Sequence, residues 1–302
     1  MKKSLSKLNL ILLLSLFFSF TTNDIVAQAE GWQQLNDKTL ELLRAGAYTE
    51  ALNAGIVAHE KAAVEYGYKH HNYIASLHNL ASAYTKLANY DQARYLFNNA
   101  LQISNKTYGK DQVIYAISAY RLGDLLQLIE QPDAAQKLYL EALPILKEKE
   151  GENSFHYTSA LSQMAKLYLS QGEVLKAEET LMKSAELREK CDDCTMADKA
   201  QNIHLLANIY GQMGRSKEAA DLFNKTLAAR ADAQGKTHPD YAATLQDYAA
   251  QISKKDPAKA IELLLEAATI QKVSLGVKHP TYLKCSDDLK QLQGVGNTSM
   301  AK

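Results

Sequence analysis

Apolar residues recur at helical spacing along most of the chain, beginning near Trp32. A representative pair of stretches places them at Leu77, Leu80, Ala81 and Tyr84, and then at Ala93, Leu96, Phe97, Ala100 and Leu101. Residues three and four apart share one face of a helix, so each stretch predicts an amphipathic helix rather than an alternating strand. Two such stretches in succession predict a helical hairpin.

The hairpin pattern repeats with a period of about 42 residues, a length typical of stacked structural repeats. The pair Leu80-Ala81 followed by Tyr84 recurs as Leu122-Gly123 and Leu126, Met164-Ala165 and Tyr168, Leu206-Ala207 and Tyr210, and Tyr248-Ala249 and Ile252. A second series runs Ala51, Ala93, Ala135, Ala177, Ala219 and then Ala260, where the last step is shorter by one position. The two series agree, so the repeat is a property of the whole chain and not of one segment.

Small residues and turn residues support the hairpin interpretation. Ala81 and Ala93 allow two helix axes to approach to about 8–10 Å. Gly46, Gly172 and Gly214 fall between the two helices of a unit, where a left-handed C-cap favours glycine. Pro239 and Pro280 each follow a histidine and suit the first position of a helix.

These residues resemble the tetratricopeptide repeat, whose small and large positions are met by Leu77, Leu80-Ala81, Tyr84, Ala93, Phe97 and Ala100-Leu101. The long period and the Gly-x-x-His-Pro-x-Tyr linkers at 235–241 and 276–282 resemble the longer variety found in kinesin light chains and many bacterial proteins. WD40 and HEAT repeats have similar periods, but the first needs strands and the second does not predict this small and large pattern. The resemblance implies an all-α, right-handed α-solenoid of about six hairpins with a C-terminal capping helix.

We expect the following division of the chain. Residues 1–29 form a signal peptide, residues 30–292 the repeat array, and residues 293–302 a disordered tail. The predicted repeats are residues 32–73, 74–115, 116–157, 158–199, 200–241 and 242–282, followed by a cap at 283–292. The first repeat matches least well, because Lys38-Thr39 stands where a Leu-Ala pair is expected.

The N-terminal segment, residues 1–29, has the three parts of a secretory signal. A basic end with Lys2, Lys3 and Lys7 precedes an apolar stretch from Leu8 to Phe20, and Ala27-Gln28-Ala29 offers a cleavage site. We therefore predict an exported protein, periplasmic or secreted, that does not span the membrane after cleavage. A cut after Ala27 and an uncleaved anchor are the alternatives.

Charge and composition narrow the range of partners. Lys plus Arg equals Asp plus Glu at 34 each, so no net field attracts a polyanion. We expect no nucleic-acid partner and no small-molecule substrate. Nucleotide loops, nucleophile elbows and zinc-protease helices are absent from the sequence, so we expect no catalytic residue, no metal site and no cofactor.

Cys191 and Cys194 form the one C-x-x-C motif, in the linker of repeat four. An oxidising compartment favours a local disulfide. Free thiols, or a redox or metal function, remain as alternatives. Cys285 is expected to be a buried small residue or an unpaired thiol.

The resemblance also implies a concave groove lined by the first helices of successive units. Carried over to this sequence, the candidate partner-binding residues are His78, Ser82, Tyr120, Asp124, Lys166, His204, Asn208 and Gln246. We expect a non-enzymatic scaffold or adaptor of the cell envelope that binds a peptide or partner protein there. The alternatives are a structural subunit of an envelope assembly and a thiol-dependent factor that uses Cys191 and Cys194.

Overall fold

The computed structural model of the chain describes residues 30–299, and the side chains up to residue 294. The predicted signal peptide and the last three residues of the predicted tail lie outside this range. Thirteen α-helices and no strands occupy the described range. They are α1 Trp32–Arg44, α2 Tyr48–Tyr66, α3 His71–Lys86, α4 Tyr90–Tyr108, α5 Val113–Leu128, α6 Pro132–Glu150, α7 Phe155–Ser170, α8 Val174–Glu189, α9 Met196–Gln212, α10 Ser216–Gln234, α11 Pro239–Ile252, α12 Pro257–Ser274 and α13 Pro280–Ser299.

The first twelve helices form six consecutive hairpins, here called units one to six, and α13 packs on the last of them. The first helix of each of units one to five also contacts the first helix of the next unit, whereas the second helices contact one another less. First helices are therefore crowded on the inner, concave side, and second helices form the outer side. The predicted all-helical solenoid is confirmed.

Small side chains sit where the two helices of a hairpin cross. Ala81, Ala165, Ala207 and Ala249 are fully buried on the first helices. Unit three has Gly123 at this position, where a Cβ would lie 2.9 Å from the ring of Tyr139. A glycine is therefore needed for the tyrosine ring to pack there, because interiors leave no room for a further methyl group.

The turn between the two helices of a unit uses one left-handed residue. Gly46, Gly172 and Gly214 have φ values of +74°, +79° and +76°. The equivalent residues in units two and three are Ala88 and Glu130, with φ values of 58° and 60°. These two residues carry a side chain in a conformation that disfavours a Cβ.

The final helix differs from the predicted cap. It begins at Pro280 and ends at Ser299, whereas the sequence predicted a cap at 283–292 and a loose tail after it. Gly294 and Gly296 weaken a helix, but no proline interrupts this segment, so the helix extends through both glycines. Among the helices of residues 30–299, none is long and apolar enough to cross a bilayer.

We expect Ala88→Gly and Glu130→Gly each to raise the free energy of unfolding by about 0.5–1 kcal/mol, because glycine adopts the left-handed conformation without steric cost. Thermal and urea unfolding would measure the change. Glu60→Gly, at an exposed position inside α2, is the control and should lower stability by about 1 kcal/mol. Equal losses at all three sites would contradict the prediction.

Candidate functional site

The inner face of the solenoid is lined at one repeat position by Ser82, Asp124, Lys166 and Asn208, which we call the inner-face position. Lys166 is exposed, and the other three are partly exposed. These four residues lie one period apart from each other, on α3, α5, α7 and α9. The array thus brings half of the sequence-predicted site together as one row.

The other four predicted residues lie deeper in the structure. His78, Tyr120, His204 and Gln246 are only 5%, 3%, 6% and 7% exposed. They also share one repeat position, which comes one helical turn before the inner-face position. A side chain at this position packs between neighbouring first helices, so its contacts are mainly within the protein.

Hydrogen bonds at and beside this packed position connect most of the first helices to the next helix on the inner side. The ring Nε2 of His78 lies 2.9 Å from Ser118 Oγ. Gln246 Nε2 donates to Asp288 Oδ2 at 3.3 Å. Similar bonds join Asn79 to Asn36, Ser162 to Asn202, and Asn208 to Asp247. Partners lie 39 to 43 residues apart, about one repeat, so they form a polar ladder along the array.

Asp247 on α11 joins two of the predicted residues. Its Oδ2 lies 2.9 Å from His204 Nε2 and accepts a hydrogen bond from Asn208 Nδ2 at 3.1 Å. Burial alone would raise the pKa of the Asp247 carboxyl, but the contacts with His204 and Asn208 outweigh it and lower that pKa. Asp247 is therefore an anion of the inner face near units five and six.

Asp124 has a different environment. Its Oδ1 accepts a hydrogen bond of 2.8 Å from the Tyr139 hydroxyl, which lies on the second helix of the same unit. Burial raises the pKa of the Asp124 carboxyl to about 7, despite this hydrogen bond and the nearby cations Arg121 and Lys166. The Asp124 carboxyl therefore keeps its proton to a higher pH than an exposed aspartate does.

Lys166 and Arg121 carry positive charge on the inner face without a carboxylate ion pair in residues 30–299. The surrounding protein lowers the pKa of the Lys166 ammonium by desolvation, although the side chain is exposed to water inside the array. Arg121 lies over the ring of Tyr120, with its guanidinium carbon 5.7 Å from the ring centroid, and its buried Nε has no hydrogen-bond partner. The exposed ammonium of Lys166 can therefore bind an incoming acceptor.

A cavity of about 240 Å³ opens between α11, α12 and α13 on the same inner face. Its polar lining includes Gln246, Asp247, Lys284 and Asp288. Its apolar lining includes Leu264 and Leu292. The mixed lining and small volume suit one side chain of a bound segment better than a whole cofactor.

Two buried arginines were not found by the sequence reasoning. Arg188 and Arg230 are 3% and 2% exposed and occupy the same repeat position. Arg188 donates to the carbonyl of Asp198, to Asn202 Oδ1 and to Ser159 Oγ, and Arg230 donates to the carbonyl of Asp240, to Thr244 Oγ1 and to Gln201 Oε1. Each pair of equivalent acceptors is also separated by one period of the repeat. This shared spacing of the arginines and their acceptors is visible in the sequence and could have predicted the contacts. The contacts give both arginines a structural role between units.

Cys191 and Cys194 are joined by a disulfide in the linker between α8 and α9. The linkers after the other complete units contain a glycine with positive φ, at Gly67, Gly109, Gly151, Gly235 and Gly276. A disulfide that closes so short a loop stabilises a fold by about 2 kcal/mol in the chain-entropy model. The pair therefore constrains the one linker that lacks this glycine. Cys285 is fully buried, and burial raises the pKa of its thiol to about 11.

No group of three or more His, Cys, Asp or Glu side chains in the described part of the chain has the arrangement of a metal site. The inner-face residues also include no pair in which a base activates a nucleophile. The arrangement offers hydrogen-bond donors, acceptors and charges of both signs for binding.

We expect the Asp124 side chain to titrate near pH 7 in a carboxyl-carbon NMR experiment. Its folded pKa lies above the ordinary value of 3.8, so the folded chain retains a proton that the unfolded chain releases between about pH 4 and pH 7. Stability should therefore fall as pH rises through this window. In Asp124→Asn, the decrease in the free energy of unfolding over this pH range should be smaller by on the order of 1–3 kcal/mol. Asp221→Asn, at an exposed position of α10, is the control, and an Asp124 midpoint near pH 4 would contradict the expectation.

Comparison with known proteins identifies relatives of the repeat. "Protein KINESIN LIGHT CHAIN-RELATED 1" of Arabidopsis thaliana is 26% identical over 208 residues, which are 68% of this chain and 34% of that protein. The chain thus spans about a third of the length of that relative.

Several solved structures share the fold. The apo form of RapI aligns with a TM-score of 0.61 at 14% identity, covering 80% of this chain and 83% of that chain. A Rap protein complexed with competence and sporulation factor also aligns with a TM-score of 0.61 at 14% identity, covering 86% and 76%. BtubC from P. vanneervenii aligns at 0.50 and 18% identity, covering 72% and 94%. At these identities the likeness concerns the fold alone.

The family model of the tetratricopeptide repeat matches residues 73–148 and 156–232, together about half of the chain. The matched segments begin and end within the hairpins of units two to five, where the small residues and the inner-face position recur. The chain belongs to the tetratricopeptide repeat family.

Proposed function

We propose that this chain is a protein-interaction scaffold that binds a peptide segment of a partner protein along its inner face, without catalysis. The repeat family and the Rap-like fold support the scaffold role. One of the Rap structures is a complex with competence and sporulation factor, so a protein of similar fold binds a partner.

The inner-face position carries the proposal. The small packing position keeps a small residue from unit to unit, as Ala81, Ala165 and Ala207 show. The inner-face position instead changes from Ser to Asp to Lys to Asn along four units. Packing does not require this variety, because these side chains are partly or largely exposed. A row of different polar groups at regular spacing can recognise an extended segment one residue group at a time.

The distribution of charge along the inner face favours one orientation of such a segment. Arg121 and Lys166 place positive charge near units three and four. Asp247 and Asp288 place negative charge near unit six and α13, where Lys284 adds one cation. We infer that a bound segment presents an acidic or carbonyl-rich part to the first region and a donor-rich part to the second.

We further propose that the protein acts outside the cytoplasm, in the cell envelope or beyond it. The proposal rests on the three-part signal of residues 1–29, which lie outside the described structure. The disulfide between Cys191 and Cys194 is consistent with an oxidising compartment.

Binding at the inner face is tested by reversing one charge there and, as a control, one charge on the outer side of the array. Lys166→Glu should weaken binding of the native partner by about tenfold or more, because it replaces an inner-face cation that has no ion pair of its own. Lys225→Glu makes the same charge change on the exposed face of α10 and should leave the affinity unchanged. The partner is first captured in its own cell through a photoreactive residue at Lys166 or Lys225, and its affinity is then measured with purified proteins. Capture from Lys225 alone would contradict an inner-face site.

Export is tested by fractionation of cells that produce the full chain or a chain without residues 1–29. We expect the full chain outside the cytoplasm with a new N-terminus at Glu30, and the shortened chain inside it, because the apolar stretch is the transport signal. Mass spectrometry of the N-terminus would locate the cleavage site. A full-length chain that stays in the cytoplasm with Met1 intact would contradict export.

A further inference from the structure

Two histidines at equivalent repeat positions begin the helices α11 and α13. His238 Nδ1 accepts a hydrogen bond from the backbone N–H of Asp240 at 3.1 Å, and His279 Nδ1 accepts one from Thr281 at 3.2 Å. Each histidine therefore acts as an N-cap. Because Nδ1 is the acceptor, the ring proton of the neutral histidine lies on Nε2 and points away from its own helix.

The Nε2–H groups reach helices at the other end of the array. His238 Nε2 lies 3.1 Å from the carbonyl oxygen of Arg44, and His279 Nε2 lies 3.1 Å from the carbonyl oxygen of Lys86. Arg44 and Lys86 are the last residues of α1 and α3 and are themselves separated by one period of the repeat. The same contact is thus made twice, between partners that are 194 and 193 residues apart.

Packing and charge reinforce the first of these contacts. Gly46 lies against α11 so closely that a Cβ on it would be 2.7 Å from Pro239 Cδ and 3.1 Å from the His238 ring. Lys86 Nζ lies 3.9 Å from Asp240 Oδ1. The Coulombic attraction of Lys86 and Arg230 helps to lower the pKa of the Asp240 carboxyl to about 2, against the effect of its burial.

Side chains at the contact between the distant helices are unusually buried. His238 is only 3% exposed, although histidine is a residue of intermediate burial in most proteins. Tyr48, at the start of α2, is also 3% exposed and lies under Lys86, whose Nζ is 5.6 Å from the ring centroid. The equivalent Tyr90 in unit two is only partly buried. The approach of the distant helix therefore buries surface that an open array would leave in water.

We propose that these contacts form a clasp between successive turns of the solenoid, which fixes its curvature and closes the inner face into a channel. The clasp consists of His238, Pro239, Asp240 and His279 on one side and of Arg44, Gly46, Tyr48 and Lys86 on the other. It joins unit one to unit six and unit two to α13, so one turn of the array spans five units.

The clasp has a consequence for binding, which rests on the proposed function. A segment held on the inner face must either fit inside the closed array or bind to an array whose clasp has opened. Opening of the clasp and binding of the ligand are then coupled. A ligand that binds more tightly to the open or to the closed array shifts the clasp toward that state.

One double variant removes the two histidine contacts of the clasp and keeps the helix caps. Ser154 occupies the same repeat position as His238 and caps α7 by accepting a hydrogen bond from the backbone N–H of Tyr157. The double variant His238→Ser and His279→Ser should therefore retain both caps but lose both contacts with the distant carbonyls. His70→Ser is the control, since His70 caps α3 in the same way and its Nε2 has no hydrogen-bond partner within residues 30–299.

A second variant opens the clasp by a wedge. Gly46→Ala places a methyl group against Pro239, in a backbone conformation with φ of +74°. Gly214→Ala imposes the same backbone strain, with φ of +76°, but nothing lies within 4 Å of its Cβ. The difference between these two variants isolates the contact with α11 from the strain of the turn.

The clasp is read out as a distance in the full-length chain without any ligand. Spin labels on Glu41→Cys and Lys236→Cys, both exposed, report the separation of α1 from the linker before α11. The engineered cysteines are the accessible thiols of the described chain, because Cys285 is fully buried and Cys191 is joined to Cys194. Double electron–electron resonance then gives the distribution of distances between the two labels, and circular dichroism verifies that each variant is folded.

We expect a narrow distribution in the parent chain. The double serine variant and Gly46→Ala should shift it to longer distances by about 5 Å or more, roughly the pitch of a helix. His70→Ser and Gly214→Ala should leave it in place. A parent distribution that is already broad, an unchanged distance in the clasp variants, or an equal shift in the controls would each overturn the clasp. None of these results depends on whether the inner face binds a peptide.

Discussion

The close approach of two helices at one small-residue position is the constraint on which the rest of this structure depends. Ala81, Ala165, Ala207 and Ala249 are fully buried where the helices of a hairpin cross. A larger side chain there would separate the helices and change the angle between units. Small angular changes accumulate along a solenoid, so the curvature of the whole inner face depends on this position. Gly123 shows how tightly the space is filled, since unit three has glycine instead of alanine there and the ring of Tyr139 occupies the space of the missing methyl group.

The sequence predicted the architecture because its period is a property of packing. Residues that fill the same space in each unit must be of similar size, and this similarity is visible without a structure. Gly46, Gly172 and Gly214 were predicted as left-handed caps, and their positive φ values confirm this. Ala88 and Glu130 at the same position show the limit of the argument, because the fold imposes that backbone conformation even where the residue disfavours it.

The candidate site was less accessible to sequence reasoning. His78, Tyr120, His204 and Gln246 are polar and periodic, which are features that a groove position and a polar ladder between helices have in common. The structure separates the two through the partners: Ser118 is 40 residues from His78, and Asp288 is 42 residues from Gln246. A search for polar pairs about one repeat apart would have pointed to the ladder, and to Arg188 and Arg230 as well.

Contacts between the ends of the array change the way in which a repeat protein holds its first unit. In a linear array each end unit has one neighbour, and its stability is its own plus a single interface. Unit one matches the repeat pattern least well, with Lys38-Thr39 at the usual Leu-Ala position. Here Arg44 and Gly46 of that unit also contact α11. Tyr48 lies under Lys86, whose ammonium pairs with Asp240 near the start of α11. With the proposed clasp, unit one also has unit six as a neighbour. We therefore expect fraying of the N-terminal unit to expose surface of unit six, so that the weakest repeat unfolds together with the rest.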